Sequence, residues 1–359
     1  MAIVAIDLFS GSGGTTAGLK KAGIKVIGAV EIDKTACKTY SYNNPEVDLV
    51  NEDIRKVKGK RFKNIIEDNK LLLVACPPCQ GFSSIRNGGE NDIRNELVFE
   101  YLRLIKELKP DFLLMENVAG MSRGKGKLIF SKFVSQIKNK YKIKYDVLNA
   151  ADYGVPQLRK RLVLHGVRND IVQKYHIKVE LPTKTYSKNG ENGLKKWKNA
   201  DVILGLPEIK AGEDYEDKEK GIFNHIANGL SELNIKRLKF IREHGGSRES
   251  LPSELTQNWK RDLRGHKDVY GILDITKPSI TITGGCMTFS KGRFGHPFED
   301  RALSAREAAR LQSFDDSYIF FGNRVELSRQ IGNAVPVDLG KASGLFFKEI
   351  EEIIGGKEN

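Results

Sequence analysis

Cysteine is scarce in this chain of 359 residues, which has four copies, at positions 37, 76, 79 and 286. Four cysteines are too few for a disulfide scaffold and are typical of a reducing compartment. The six histidines lie apart, and none stands at zinc-ligand spacing from the cysteines, so we expect no metal site. A chain of this length buries a core without such supports, and at roughly 150 residues per domain it has room for two domains.

Long apolar runs are also missing, and acidic residues are outnumbered by basic ones. No run of apolar residues approaches the length of about 18 that a membrane-spanning helix needs, and the first residues, MAIVAIDLFSGSGG, lack the pattern of a signal peptide. We therefore expect a cytoplasmic protein without membrane association. Lys and Arg number 59 against 46 Asp and Glu, which gives a net charge of +13. This excess favours a polyanionic partner, nucleic acid before a membrane, with a merely solvated lysine-rich surface as the alternative.

Strand-like and helix-like segments alternate in the first half of the chain. A helix is expected at 15–22, after the first strand and its glycines, and helical periodicity occurs at 95–108. Buried-strand patterns occur at 3–9, 25–31, 71–75, 112–115 and 161–167. This alternation predicts an α/β fold with a doubly wound, mostly parallel sheet.

The pattern ends after Val167, because residues 169–275 are polar and irregular, which indicates a separate domain or an insert. Further on, Ser304 and Glu307 have the spacing of a capping box. A last helix is predicted from Asn333 to Ile354, with Pro336 near its start.

Glycines follow the first strand in the sequence DLFSGSGG at 7–14. They let the backbone approach a ligand and expose helix N–H groups, but Thr16 stands where a strict dinucleotide fingerprint needs glycine. Glu31 ends the second strand, where such sheets commonly bind ribose hydroxyls, and Asp53 has a carboxylate able to accept from an adenine amino group. These features favour a nucleoside-containing cofactor, with an ordinary tight turn as the alternative.

Three further motifs carry reactive or charged side chains. In CPPCQGF at 76–82, the prolines and the following glycines favour Cys79 as an exposed nucleophile, while a redox pair with Cys76 and an inert cysteine remain alternatives. Glu116 follows a buried strand, in the crevice where such sheets bind ligands, and its alternative role is to cap a helix. Gln157, Arg159 and Arg161 alternate at strand spacing and so share one face, which suits an anionic or carbonyl-rich substrate or, alternatively, a solvated edge strand.

Together, and in this order, the motifs resemble those of the bacterial cytosine-5 DNA methyltransferase family. The resemblance leaves 169–275 uncovered, the region where this family has its variable target-recognition domain, and it departs from the family at Val337, a position that is often Pro. The matching segments are DLFSGSGG, the acidic residues Glu31 and Asp53, PPCQGFS at 77–83, ENV at 116–118, QLRKR at 157–161, RALSAREAARLQSF at 301–314 and QIGNAVPV at 330–337.

The resemblance implies S-adenosylmethionine as the methyl donor and a Rossmann-like catalytic lobe over 1–168. It also implies a small lobe over 169–325, whose target-recognition region is 169–275, and a C-terminal segment, 326–359, that returns to the catalytic lobe. Duplex DNA would lie in the cleft between the lobes. The expected cofactor pocket consists of Phe9, Gly11, Gly13, Glu31, Ile32, Asp53, Ile54, Pro78, Leu97, Asn333 and Val335.

The implied chemistry is addition of the Cys79 thiolate to carbon 6 of a flipped-out cytosine, which activates carbon 5 for methylation. Glu116 would hydrogen-bond ring N3 as an acid, and Arg159 and Arg161 would hold O2 and the region of the nucleophile. The loop 80–96 is expected to close on the flipped base. The expected DNA contacts are Gln80, Ser83, Arg86 and Arg94 in that loop and Lys236, Arg237, Arg261 and Arg264 in the small lobe.

The expected partner is double-stranded DNA, bound by a monomer that modifies nucleoid DNA in a bacterial or phage-encoded restriction-modification system with a cognate endonuclease. A tRNA cytosine methyltransferase on the same scaffold is the nearest competing interpretation, but the Cys-Phe-Thr tripeptide of that kind is absent from the sequence. The intact Cys79 and Glu116 disfavour a catalytically silent DNA-binding relative, and the motifs beyond CPPC disfavour a redox protein.

Overall fold

The computed structural model describes residues 2–78, 96–256 and 268–358. The strands are β1 (Ile3–Leu8), β2 (Lys25–Glu31), β3 (Asp48–Asn51), β4 (Lys70–Ala75), β5 (Phe112–Val118), β6 (Tyr141–Asn149), β7 (Lys160–Arg168), β8 (Tyr186–Ser187), β9 (Lys195–Lys196), β10 (Asp214–Asp217) and β11 (Ile222–Ile226). The helices are α1 (Gly14–Lys21), α2 (Lys34–Asn43), α3 (Lys63–Ile66), α4 (Leu97–Leu108), α5 (Lys127–Ile137), α6 (Asn169–Tyr175), α7 (Glu232–Glu243), α8 (Ser253–Thr256), α9 (Ala305–Leu311), α10 (Arg324–Asn333) and α11 (Val337–Glu358). Among these helices, none has the length and apolar character needed to cross a membrane.

Seven strands form the central sheet in the order β3-β2-β1-β4-β5-β7-β6. The first five strands are parallel, whereas β7 runs antiparallel to both β5 and β6. All six residues of β1 are buried, as expected when helices cover both faces of a parallel sheet. This arrangement confirms the predicted doubly wound, mostly parallel fold. The chain leaves β1 towards β2 and returns to β4 on the other side, so the carboxyl ends of β1 and β4 border the switch point where such sheets bind ligands.

The long helix α11 covers part of this sheet. Phe347 lies against Phe112 of β5 with ring centroids 5.8 Å apart, and Phe346 stacks on His165 of β7 at 4.8 Å. The same helix packs closely on α1, where a Cβ added to Gly18 would lie 2.5 Å from the carbonyl oxygen of Val337. Helix α11 therefore packs directly on the seven-stranded sheet and on α1.

The chain divides into two compact units. The first comprises 1–153, 160–185 and 335–359 and holds the seven-stranded sheet. The second comprises 154–159 and 186–334, and it has its own core, in which Leu238, Ile241 and Phe289 are fully buried. These bounds differ from the expected lobes, because 169–185, with α6, groups with the first unit and 326–334 groups with the second. The functional division into catalytic and target-recognition lobes stays a prediction.

Two expectations about helices need correction, and one is confirmed. The last helix, expected over 333–354, begins at Val337, four residues later than expected, because Ala334 has an extended backbone and Pro336 cannot donate to the preceding turn. The region expected to be irregular contains α7, whose first turn is capped by the Ser231 side chain. Ser304 and Glu307 do form the predicted capping box at the start of α9.

Candidate active site

The glycine loop between β1 and α1 has the backbone that only glycine adopts readily. Gly11 and Gly13 have positive φ angles of 54° and 91°, in the region where a side chain is strained. Phe9 also lies there, with a φ of 58°. The Gly11 N–H donates to Oε2 of Glu31 at 2.8 Å, which ties the loop to the end of β2.

Glu31 is surrounded by backbone donors at the carboxyl end of β2. Its Oε1 accepts from the N–H groups of Ile32 at 2.9 Å and Asp33 at 2.8 Å. Burial raises the pKa of Glu31 above its ordinary value, although these amide donors act in the opposite direction. The neighbouring Ile32 side chain is 62% exposed. The predicted pair therefore presents a carboxylate beside an open apolar surface.

The other expected cofactor residues lie in different surroundings. Asp53 accepts from Arg55 through both carboxylate oxygens, and this hydrogen bonding lowers the pKa of Asp53. Ile54 is buried in the core beneath the sheet. Pro78 and Leu97 are partly exposed at the two ends of the stretch outside the described residues. Val335 belongs to the first unit, whereas Asn333 is exposed and belongs to the second.

Glu116 and Arg161 form an ion pair at the carboxyl end of β5. The Nε of Arg161 lies 3.0 Å from Oε1 of Glu116, and both side chains are largely buried. They meet because β5 and β7 are antiparallel neighbours in which Val118 faces Arg161, so a residue two places away is within reach of a long side chain. Burial lowers the pKa of Arg161, while the charge of Glu116 acts against that change.

Asn117, beside this pair, makes a contact to which the sequence motifs assigned no role. The buried side chain of Asn117 donates from Nδ2 to the carbonyl oxygen of Pro77 at 2.9 Å. Pro77 and Pro78 have no N–H groups, so they cannot extend the hydrogen-bond ladder of β4. The Asn117 amide therefore connects the end of β4 to β5, two residues before Cys79. The signal in the sequence is an amide residue beside the acid and a pair of prolines beside the cysteine.

Cys76 lies among these groups as a thiol. Together with Thr15 and Glu116 it lines a cavity at the switch point, and its Sγ is 3.6 Å from the Thr15 hydroxyl. Burial, followed by the charges of Glu116 and Asp7, raises the pKa of Cys76 well above its ordinary value. These surroundings oppose formation of a thiolate at this cysteine.

Arg159 and Arg161 belong to different units, and their shared face stays a prediction. Strand β7 begins at Lys160, and Gln157 and Arg159 belong to the second unit. There the buried guanidinium of Arg159 donates to the carbonyl oxygens of Ile282 at 2.7 Å and Gly332 at 3.1 Å. The three residues of the motif are therefore divided between two units, because β7 begins only after Arg159.

The expected DNA contacts are described only in part. Lys236 is exposed on α7. Arg237 is 6% exposed, and its Nε donates to the carbonyl oxygen of Leu255 at 2.7 Å. The expected phosphate contact of Arg237 is therefore corrected, because its guanidinium is used inside the second unit. The residues that lie outside the described part of the chain are Cys79, Gln80, Ser83, Arg86, Arg94, Arg261 and Arg264.

A second cluster of ionisable side chains lies in the second unit. His296, Glu299 and Glu307 have ligand atoms within 4.8 Å of one another, a spacing compatible with a metal ion. Arg301, however, donates to both carboxylates, at 2.8 Å to Glu299 and 2.7 Å to Glu307. The cluster is therefore an ion-pair network in which the Arg301 guanidinium is shared by the two carboxylates.

Comparison with known proteins decides the family. The model of the C-5 cytosine-specific DNA methylases matches residues 3–347. The chain belongs to this family. It is 34% identical to the Type II methylase M.HgiDII of Herpetosiphon aurantiacus over 355 residues, which cover 97% of this chain and 95% of the relative. It is 33% identical to the Type II methyltransferase M1.HphI of Haemophilus parahaemolyticus, with 95% and 86% covered.

The fold of this chain is also similar to that of a solved methyltransferase structure. A prophage-encoded DNA modification methyltransferase of E. coli matches with a TM-score of 0.68 and 26% identity, covering 97% of this chain and 99% of that one. The expected Rossmann-like methyltransferase sheet is thereby confirmed. The protein is a DNA (cytosine-5)-methyltransferase with relatives in type II systems.

Proposed function

We propose that this methylase transfers the methyl group of S-adenosylmethionine to carbon 5 of a cytosine flipped out of duplex DNA, with Cys79 as the covalent nucleophile. The observation that best supports this proposal is the Glu116–Arg161 ion pair at 3.0 Å, joined through Asn117 to the proline segment that precedes Cys79. The acid Glu116, the cation Arg161 and the segment that leads to Cys79 thus lie at the same carboxyl edge of the sheet.

The residues of the first unit suit the proposed cofactor. A carboxylate has about four lone-pair directions, and Glu31 uses three of them for backbone amides, which leaves one for a ribose hydroxyl. Ile32 offers an exposed apolar surface for a base. Asp53 is able to accept from an adenine amino group only beside or in place of Arg55. When bound, S-adenosylmethionine supplies an electrophilic methyl group on a sulfonium.

The protein's own groups perform the remaining steps. The Cys79 thiolate adds to carbon 6, because cytosine carbon 5 is a poor nucleophile until the ring becomes enamine-like. Glu116 holds a proton at ring N3, and Arg161 keeps the Glu116 side chain in place while neutralising charge. We assign O2 to Arg159 and Arg161. The C5 proton then leaves to water, the Cys79 thiolate is eliminated, and the proton at N3 returns to Glu116. A stacked base is out of reach of these groups, so we include flipping, at a cost of a few kcal/mol.

Cys76 is the internal alternative to Cys79 as nucleophile, and its surroundings argue against it. Its raised pKa keeps it a thiol at neutral pH, and the thiolate is the nucleophilic form. We therefore expect Cys76 to contribute packing against α1 rather than chemistry.

The test is a covalent trap. Bisulfite sequencing of DNA from cells that express the protein first gives the target site. A duplex with 5-fluorocytosine at that site then forms a denaturation-resistant adduct, because fluorine cannot leave as a proton does. Cys79→Ala should abolish the adduct, and Cys76→Ala, the matched control, should retain it. An adduct that persists in Cys79→Ala contradicts the assignment.

Substrate choice needs a second measurement. Labelled methyl groups from S-adenosylmethionine should enter duplex DNA and not tRNA, because the 34% identical relative is named a Type II methylase. Labelling of tRNA alone would favour the tRNA enzyme, and no labelling of either would favour a silent DNA-binding relative. We further propose that the enzyme acts as a monomer on nucleoid DNA and protects it from a cognate endonuclease.

A further inference from the structure

Positive charge is concentrated in one stretch of the first unit. Residues 117–145 contain eight Lys and Arg residues and no Asp or Glu, against a net charge of +13 for the whole chain. Ordinary solvated surfaces mix the two signs of charge. The cations are Arg123, Lys125, Lys127, Lys132, Lys138, Lys140, Lys142 and Lys144.

The start of this stretch is folded onto the edge of the sheet that carries Glu116. Two short turns, Ala119–Met121 and Gly124–Gly126, follow β5 and lead into α5. Met121 is fully buried, and a Cβ added to Gly126 would lie 2.6 Å from the carbonyl oxygen of Gly120. The segment 122–127, here called the basic loop, is therefore held close to the end of β5 by packing of its own backbone.

Two cations of the basic loop are exposed and have no carboxylate partner among the described residues. They are Arg123 and Lys127, and neither takes part in an ion pair within the described part of the chain. Other cations of the first unit do have partners, such as Arg61 with Asp48 at 2.7 Å and Arg168 with Asp170 at 2.7 Å. The basic loop thus keeps its positive charge available at the carboxyl edge of the sheet.

We propose that the basic loop binds backbone phosphates of the duplex next to the target cytosine. This inference rests on the proposed function, which makes duplex DNA the substrate of the Glu116 site. Arg123 has the planar fork that pairs with phosphate oxygens, and Lys127 adds a point charge. Because phosphate contacts position a duplex without reading its sequence, the basic loop sets affinity and orientation and leaves the choice of target to other residues.

The test compares two pairs of cations in the same stretch. Arg123→Gln with Lys127→Gln removes the charge of these two residues from the basic loop. Lys138→Gln with Lys140→Gln removes the same charge from exposed residues beyond the far end of α5, a helix of 11 residues and so about 16 Å long. Affinity for the target duplex is measured over a series of salt concentrations, and circular dichroism checks that all proteins are folded.

We expect the basic-loop pair to lower the slope of log affinity against log salt by up to about 1.8, or about 0.9 per phosphate. The control pair should keep the wild-type slope, and both should methylate the wild-type site. Equal slopes for wild type and the basic-loop pair, or an equal fall in the control pair, would show that the loop makes no phosphate contact of its own. Methylation of duplex DNA by the wild type, with either of these slopes, leaves the proposed function intact and overturns this inference alone.

Discussion

The carboxyl group of Glu116 has two neighbours to satisfy in our mechanism, Arg161 and ring N3. Glu116→Gln keeps an oxygen to accept from Arg161 but loses the acid proton. We expect single-turnover methylation to fall by about 10²–10⁴, the usual contribution of general acid catalysis, with little change in affinity for S-adenosylmethionine. Selective loss of cofactor binding, or unfolding of the variant, would instead make Glu116 a structural residue.

Asn117 is expected to act as a positioning residue for the nucleophile. Asn117→Ala leaves the Pro77 carbonyl without its side-chain donor, and a shift of a reacting group by about 1 Å can cost about 100-fold in rate. We expect slower formation of the 5-fluorocytosine adduct, by about 10–100-fold, with unchanged cofactor affinity. Asn139→Ala, a change of the same type in an exposed turn, is the control. An unchanged adduct rate in Asn117→Ala, with lower stability alone, would limit this residue to packing.

Asp7 in the centre of the sheet makes stability depend on pH. Burial raises its pKa to about 7, and Glu31 adds to this, although the Thr16 hydroxyl donates to it at 2.8 Å. The ordinary value is 3.8, so the folded state holds the proton more tightly. The resulting stabilisation is present below about pH 4 and is lost as pH rises through about 7.

Asp7→Asn cannot ionise and still offers an acceptor to Thr16. Its free energy of unfolding, relative to wild type, should therefore be higher at pH 8 than at pH 5, by up to a few kcal/mol at about 1.4 kcal/mol per pKa unit. Denaturant titrations at the two pH values measure this. Asp68→Asn, at an exposed position, removes the same charge and should show no such difference. Parallel curves for Asp7→Asn and wild type would contradict the shifted pKa.

The helices α1 and α11 approach each other closely through Gly18. A Cβ there would lie 2.5 Å from the Val337 carbonyl oxygen and 2.6 Å from the Lys341 nitrogen. Both are backbone atoms, so Gly18→Ala has to separate the helices, and overpacking of this kind typically costs about 1–3 kcal/mol. Gly356→Ala on α11 meets nothing within 4 Å and should stabilise by about 0.5–1 kcal/mol. Denaturation midpoints that move in the same direction for both would contradict the close approach.

Sequence patterns were sufficient for several elements of the first unit. The predicted strand at 25–31 coincides with β2, and the predicted helix at 95–108 contains α4. The prediction passes over α5, although Phe130, Phe133 and Ile137 recur at helical spacing and are buried. It also passes over β6, although Tyr141, Ile143, Tyr145 and Val147 alternate there with charged residues.

Within the candidate site, the motifs singled out the loop glycines, Glu31 and Glu116, because each lies near the carboxyl end of a strand whose apolar run is evident. The Glu116–Arg161 contact was not predictable in this way, since it depends on β7 lying antiparallel beside β5. The Asn117–Pro77 bond likewise requires knowing that β4 and β5 are neighbours. Local pattern gives the ends of strands, and strand order decides which ends meet.

At the scale of the whole chain, chemistry and target choice are expected to reside in different segments. We predict that base identity is read within 186–275, since the motifs of the reaction lie elsewhere and 169–185 groups with the first unit. Moving 186–275 into a relative of known target should give a hybrid that methylates the site of the present enzyme, as measured by bisulfite sequencing. A folded, active hybrid that methylates only the relative's old site would show that recognition lies outside this segment.

The packing of α11 on the seven-stranded sheet has a consequence for synthesis on the ribosome. Lys21, the end of α1, and Val337, the start of α11, are separated by roughly 300 residues, which translation at about 5–20 residues per second takes about 15–60 s to add. During that interval Phe112 and His165 have emerged without the two phenylalanines that cover them. The nascent sheet therefore exposes an apolar face to chaperones, which is covered only when α11 leaves the exit tunnel.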